Sequence, residues 1–342
     1  QSVGLPPDQL TLPSMLHEAG YVTGMFGKWH LGCTTQFAPT RYGFDEYFGF
    51  LGGNLDYFRH QDQYGNPDLF EKAEPVTHSG YITDLITERS VDFIHRNAAT
   101  PFFLYAAYNA PHWPIQGPDD EALELQGNDY SQRGDRQTYA KMVERVDEGV
   151  GRILDALKRE GKDKTTLVVF MSDNGGDRLA RNAPLRDNKG TLWEGGIRIP
   201  CILSWPEMLP AGRVSHQATI TMDITASLLA AAWVKPNRKI DGICLLPYFA
   251  GARPDVEQTF VWRSNWKQEK AVRWGRWKWL KIKEEEYLFN LEEDISEQND
   301  RKDRNIDIVY WLREIYRQWE SAMPYNQTLF GEDLRSLDSS PK

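Results

Sequence analysis

Apolar positions recur with a helical period in four stretches of the chain. Thr11 precedes Leu12, Met15, Leu16 and Ala19 on one face, with Pro13 in the first turn and Gly20 as a stop. This predicts a helix over 11–19 capped by Thr11. Ile82, Leu85, Ile86, Phe93 and Ile94 predict a second helix over 82–97. Tyr139, Met142, Val143, Val146, Val150, Ile153, Leu154 and Leu157 form a stripe that predicts a third over 136–159. Ile308, Leu312, Ile315 and Trp319 predict the last over 305–322. Between the first three helices and just after the third, "YVTGMF" reads as a strand, and "PFFLYAAYNAP" and "TTLVVFMSDNGG" read as strands apolar on both faces, hence buried. Alternation of strand and helix predicts an α/β fold: a mostly parallel central sheet flanked by helices.

After Ile240 the pattern changes. "TFVWRS", "KAVRW", "WKWLKI" and "YLFNL" are short, alternating and closely spaced, which predicts an antiparallel meander. With the helix over 305–322 this forms a smaller C-terminal α+β subdomain. The expected division is 1–251 for the α/β domain and 252–342 for the subdomain. Residues 34–80 have no clear period and are expected to form a long irregular region of the kind that often carries function.

Polar clusters follow the three strands, where ligands sit in such sheets. In "GKWHLG", Lys28 and His30 lie between Gly27 and Gly32. Strand alternation would point both one way and Trp29 the other, which suits an anionic oxygen cluster. The structural alternative is a strand end with a snorkelling lysine and a solvated histidine. In "APHWP", prolines hold His112 in a rigid loop, or the histidine is merely structural there. In "SDNGG", Asp173 and Asn174 offer hard oxygen donors for Ca²⁺ or Mg²⁺, or form a simple Asx turn. "NKGTLWEGGIRIP" supplies Lys189 as a point charge for an anion. In the same stretch Glu194 and Arg198 read as a structural pair.

Composition changes this picture little. Of 342 residues, 40% are hydrophobic and 26% charged, which is ordinary for a globular chain. The formal charge of −9 argues against non-specific nucleic-acid binding, leaving room for a small cationic pocket. Twelve tryptophans suit a cleft for carbohydrate or aryl groups as well as a core. Cys33, Cys201 and Cys244 form neither a C-x-x-C pair nor a disulfide framework. No apolar run reaches membrane-spanning length. The sequon at Asn326 is read as a chance match.

Taken together, "GYVTGMFGKWHLG", "PTRYGFDEYFGF", "PFFLYAAYNAPHWP", "VVFMSDNGG", "KGTLWEGGIRIP" and "YLFNLEEDISEQND" resemble the formylglycine-dependent sulfatases of the alkaline-phosphatase-like superfamily, in order and approximate spacing. The resemblance runs from about residue 6 to 322. It implies a sulfuric ester hydrolase with an aryl or carbohydrate sulfate as substrate and a periplasmic or secreted location. It implies that Lys28 and Lys189 bind sulfate and that His30 contacts the hydrated formylglycine and acts as a base. It places His112 at the leaving-group oxygen and makes Asp173 and Asn174 two ligands of a divalent ion, usually Ca²⁺. Residues 51–80 and the Trp-rich meander are expected to shape the pocket rim.

The chain departs from the family pattern in one respect. The nucleophile motif C/S-x-P-x-R and the paired aspartates of the first strand are absent from the sequence. Formylglycine is therefore not expected in this sequence, the metal is expected to be weak or absent, and the chain alone is expected to be inactive. Three explanations stand: a shortened product, a missing part supplied separately, or a non-catalytic relative that binds sulfated ligands. A phosphodiesterase or phosphonate hydrolase of the same superfamily is the alternative enzyme.

Overall fold

The computed structural model describes residues 4–122, 130–131 and 133–323. The Asn326 sequon lies outside them. The chain divides into two compact units, one of residues 1–171 with 200–256, the other of 172–199 with 257–342.

In the first unit a five-stranded sheet has the order β4-β3-β2-β1-β5. The strands are β1 (Val22–Lys28), β2 (Glu46–Phe50), β3 (Phe70–Glu71), β4 (Glu74–Pro75) and β5 (Phe102–Ala107). β1 runs parallel to both β2 and β5, with Gly27 opposite Gly49 on one side and Ala107 on the other. The two short strands extend the sheet in antiparallel fashion. The carboxyl ends of β1, β2 and β5 therefore share one edge.

Helix Leu12–Glu18 is capped as its sequence predicts: the Thr11 hydroxyl accepts from Ser14 N, and the Ser14 hydroxyl faces Thr11 N. Helices Ile82–Asn97 and Arg136–Arg159 meet the predicted limits. Ile94 of the first packs with Ala156 and Leu157 of the second, and Arg145 pairs with Asp84 in a two-pronged contact.

Two expectations for the strands fail. Among the described residues β5 is the edge of its sheet, and Tyr105 is 50% exposed rather than buried. β6 (Val168–Met171) does not join that sheet. It pairs antiparallel with β7 (Cys201–Ser204) in a two-stranded sheet, and Phe170 is 40% exposed. An apolar run is buried on both faces only where neighbours cover both, and among the described residues they do not. The predicted stripe of helix Arg136–Arg159 is likewise only partly covered: Met142 and Leu157 are buried, whereas Val143 and Leu154 are exposed.

In the second unit β8 (Thr259–Ser264), β9 (Glu269–Trp274), β10 (Trp277–Ile282) and β11 (Glu285–Asn290) form the predicted antiparallel meander. Both faces are used. Ala271, Leu280 and Phe289 pack against Leu192 and Trp193, while Val272, Trp279 and Leu288 pack against Val309, Leu312 and Tyr316 of helix Ile306–Ala322. The period-two alternation thus separates two apolar faces, not an apolar from a wet one.

Candidate active site

In the first unit the strand edge carries Lys28, His30 and His112. Lys28 ends β1 and is half-buried, and Trp29 is buried against Tyr42 with ring centroids 5.5 Å apart. His30 is exposed and has a left-handed backbone, φ 62°. The strand period stops before it, so alternation does not set its direction, contrary to the sequence argument. Such backbone conformations are costly for a non-glycine residue and cluster at functional sites.

What holds His30 lies in the segment after β2. The Trp29 and His30 amides donate to the carbonyls of Phe50 and Leu51 at 3.0 and 3.1 Å. The Asp68 carboxylate accepts from Leu51 N at 3.2 Å and from Gly52 N at 2.9 Å. A Cβ at position 53 would lie 2.6 Å from His30 Nε2, so the imidazole rests on glycine backbone. Burial pushes the Asp68 carboxyl up to about 6, against the pull of its two amide donors.

His112 lies in the loop after β5, between cis Ala110–Pro111 and cis Trp113–Pro114 peptides. Its Nδ1 is 2.9 Å from the Trp113 carbonyl. A carbonyl only accepts, so Nδ1 carries a proton. The Tyr57 hydroxyl donates to the His112 carbonyl at 2.9 Å. Tyr57 N donates to Gln116 Oε1, Gln116 Nε2 donates to Asp56, and Asp56 also accepts from the amides of Phe58 and Arg59. Residues 51–68 thus brace His30 through Asp68 and His112 through Tyr57.

In the second unit Asp173 and Asn174 head the "SDNGG" turn, and the Ser172 hydroxyl donates to the Asn174 carbonyl. Lys189 N donates to Gly176 O at 3.0 Å, which places the lysine's loop on the same turn. The paired glycines explain the close approach. A Cβ at Gly175 would lie 1.8 Å from Gly195 O. Asn182 reinforces the turn, accepting from Gly176 N and donating to Gly176 O.

Beneath this loop lies an ionic cluster that the sequence only half reveals. Arg198 reaches Glu194 at 3.2 Å, the pair expected from spacing. Lys278 of β10, with no exposed surface, lies 2.9 Å from Glu194 Oε1 and 2.7 Å from Glu297 Oε1. Glu297 also accepts from Glu194 N. Burial works to raise Glu194, but Lys278, Arg273 and Arg198 together hold it below the usual carboxylate range. Burial pushes the Glu297 carboxyl up, against the charge of Lys278.

A divalent ion suits Asp173 and Asn174 in donor type but not in number. Ca²⁺ takes about six to eight oxygens. Among the described residues no group of three or more His, Cys, Asp or Glu is placed to hold a metal. Among them, too, no helix is long and apolar enough to cross a membrane.

Residues 1–234 match the sulfatase family model. The chain is 35% identical to the N-acetylgalactosamine-6-sulfatase of Canis lupus familiaris over 286 residues, covering 77% of this chain and 52% of that protein. It is 36% identical to arylsulfatase J of Mus musculus over 251 residues, covering 70% and 42%. The crystal structure of Ps i-CgsB in complex with k-i-k-neocarrahexaose superposes with a TM-score of 0.87 at 34% identity, over 98% of this chain and 79% of that one. The chain spans about half the length of the curated relatives it matches.

Proposed function

The chain belongs to the sulfatase family, and from that premise we propose that it serves a sulfuric ester hydrolase acting on an aryl or carbohydrate sulfate. The observation that carries this reading is the fixed "GKWHLG" turn, with Lys28 at a parallel strand end and His30 seated on Gly53. Cleaving a sulfate ester builds negative charge on the transferring group and on the leaving oxygen. Preorganised cations stabilise that charge without reorganising. Lys28 and Lys189 take the role of sulfate-binding cations. His112, its Nδ1 proton engaged by Trp113, delivers a proton from Nε2 to the leaving oxygen when it is the imidazolium. His30 takes the base role. Asp173 and Asn174 would offer two oxygen donors to a divalent ion, too few to hold one by themselves, and no step is assigned to it. No residue of this sequence is assigned the nucleophile, because none lies in a C/S-x-P-x-R motif.

The test is a parallel titration of the protein with 4-nitrophenyl sulfate and 4-nitrophenyl phosphate, read as heat of binding and as released nitrophenol. The sulfate ester should bind more tightly, and Lys28→Ala should abolish its binding. Preference for the phosphate ester would move the assignment to a phosphohydrolase of the same superfamily. Binding unaffected by Lys28→Ala would remove the reading.

A further inference from the structure

The turn between β8 and β9 carries an exposed tryptophan beside a lysine. Trp266 is 81% exposed, and Lys267 Nζ lies 4.6 Å from the centroid of its ring. Isolated exposed aromatics are common and need no explanation. This one differs in three respects.

First, the turn is braced. Lys267 N donates to the Ser264 hydroxyl, Gln268 N to Asn265 O, and Lys283 N to Gln268 O at 2.9 Å. Second, it lies on the loop that carries Lys189. A Cβ at Gly190 would be 3.8 Å from Trp266 Cζ3 and 4.0 Å from Lys267 Cε. Third, the two segments are tied at the root of the hairpin. The buried Glu269 carboxylate accepts from Leu192 N at 2.6 Å.

We propose that Trp266 and Lys267 form a saccharide subsite for a sulfated glycan. It rests on the reading of Lys189 as a sulfate-binding residue. A pyranose presents an apolar C–H face, and an indole on a braced turn offers a flat surface for it at modest entropic cost. With the Lys267 ammonium over the Trp266 ring, the same turn offers a cation to a sulfate on that sugar or its neighbour. A rigid turn loses little freedom on binding, so more of the contact energy appears as affinity. The subsite favours an oligosaccharide over a small aryl sulfate, because it neighbours Gly190, the residue after Lys189, and would engage a second part of the substrate.

Calorimetry with a sulfated galactan hexasaccharide and with inorganic sulfate tests this. Trp266→Ala should weaken the hexasaccharide about tenfold, the size of a modest hot spot, and leave inorganic sulfate unchanged. Lys267→Met should weaken the hexasaccharide severalfold at low salt, and the difference should vanish at about 1 M NaCl. Trp266 is exposed, so its removal should leave the circular dichroism unaltered. Equal hexasaccharide affinity for Trp266→Ala and the parent would overturn the subsite. So would failure of a sulfate-binding parent to bind the hexasaccharide. A parent that binds no sulfate would overturn the reading beneath it.

Discussion

Lys278 and Glu297 meet at 2.7 Å with no exposed surface on either side chain. The contact joins β10 to the loop that follows β11, and through Glu194 it reaches the segment bearing Lys189. Removing Lys278 takes the buried cation from Glu297 and leaves Glu194 to Arg198. Lys278→Ala should therefore cost about 3–5 kcal/mol of stability. Urea denaturation measures it. Adding Glu194→Gln and Glu297→Gln to a Lys278→Met variant should recover much of the loss. A Lys278→Ala midpoint within error of the parent would show that the cluster is hydrated in solution.

Asp68 predicts a pH dependence. Its carboxyl sits at about 6 in the folded chain against 3.8 unfolded. The native state then binds the proton more tightly than the unfolded state. Its contribution to stability is most favourable below about 4, falls as pH rises through 6, and stays low above that. The full change is roughly 3 kcal/mol at most. Urea midpoints of the parent and of Asp68→Asn, compared between pH 4.5 and 7.5, should differ by this slope. Parallel profiles would mean that Asp68 is ionised throughout.

Two glycines, one in β2 and one in the segment after it, separate folding from site geometry. At Gly49 a Cβ would lie 1.9 Å from Gly27 O, a backbone atom that cannot yield without disrupting the sheet. At Gly53 it would meet the ring of His30, which can swing aside. Gly49→Ala should give poorly folded protein. Gly53→Ala should stay folded while the His30 ring resonances move in NMR spectra. Unmoved resonances in folded Gly53→Ala would show that the ring does not rest there.

Calcium binding should be weak. Asp173 supplies the single carboxylate of its turn, and a lone carboxylate holds Ca²⁺ with a dissociation constant on the order of millimolar or weaker. Micromolar binding that disappears in Asp173→Ala would mean that further carboxylates complete a site.

Much of this was readable from pattern. Helices Ile82–Asn97 and Arg136–Arg159 follow from apolar spacing, and β8 to β11 from alternation, because both are local signals. Lys28, His30 and His112 stood out because polar residues follow apolar strands at a shared edge. Asp68, Tyr57 and Gln116 did not. Each acts on backbone or side chains well separated in sequence, and nothing near them marks the partner. Lys278 was hidden differently. In "WKWLKI" it reads as a lysine free to reach water, yet it shares a covered face with Leu280 and is paired with Glu194 and Glu297.

The second unit is assembled from two stretches, 172–199 and 257–342. In evolutionary terms this makes it a poor cassette. A recombination crossover falling anywhere within 200–256 would set Lys278 and Glu297 against a foreign residue at position 194. Offspring of such an exchange would keep the Lys278–Glu297 pair but lose the second carboxylate facing the ammonium wherever the foreign residue is not acidic. Selection should therefore keep the two stretches travelling together, and Glu194 and Lys278 should change in concert across lineages although the whole of 200–256 separates them.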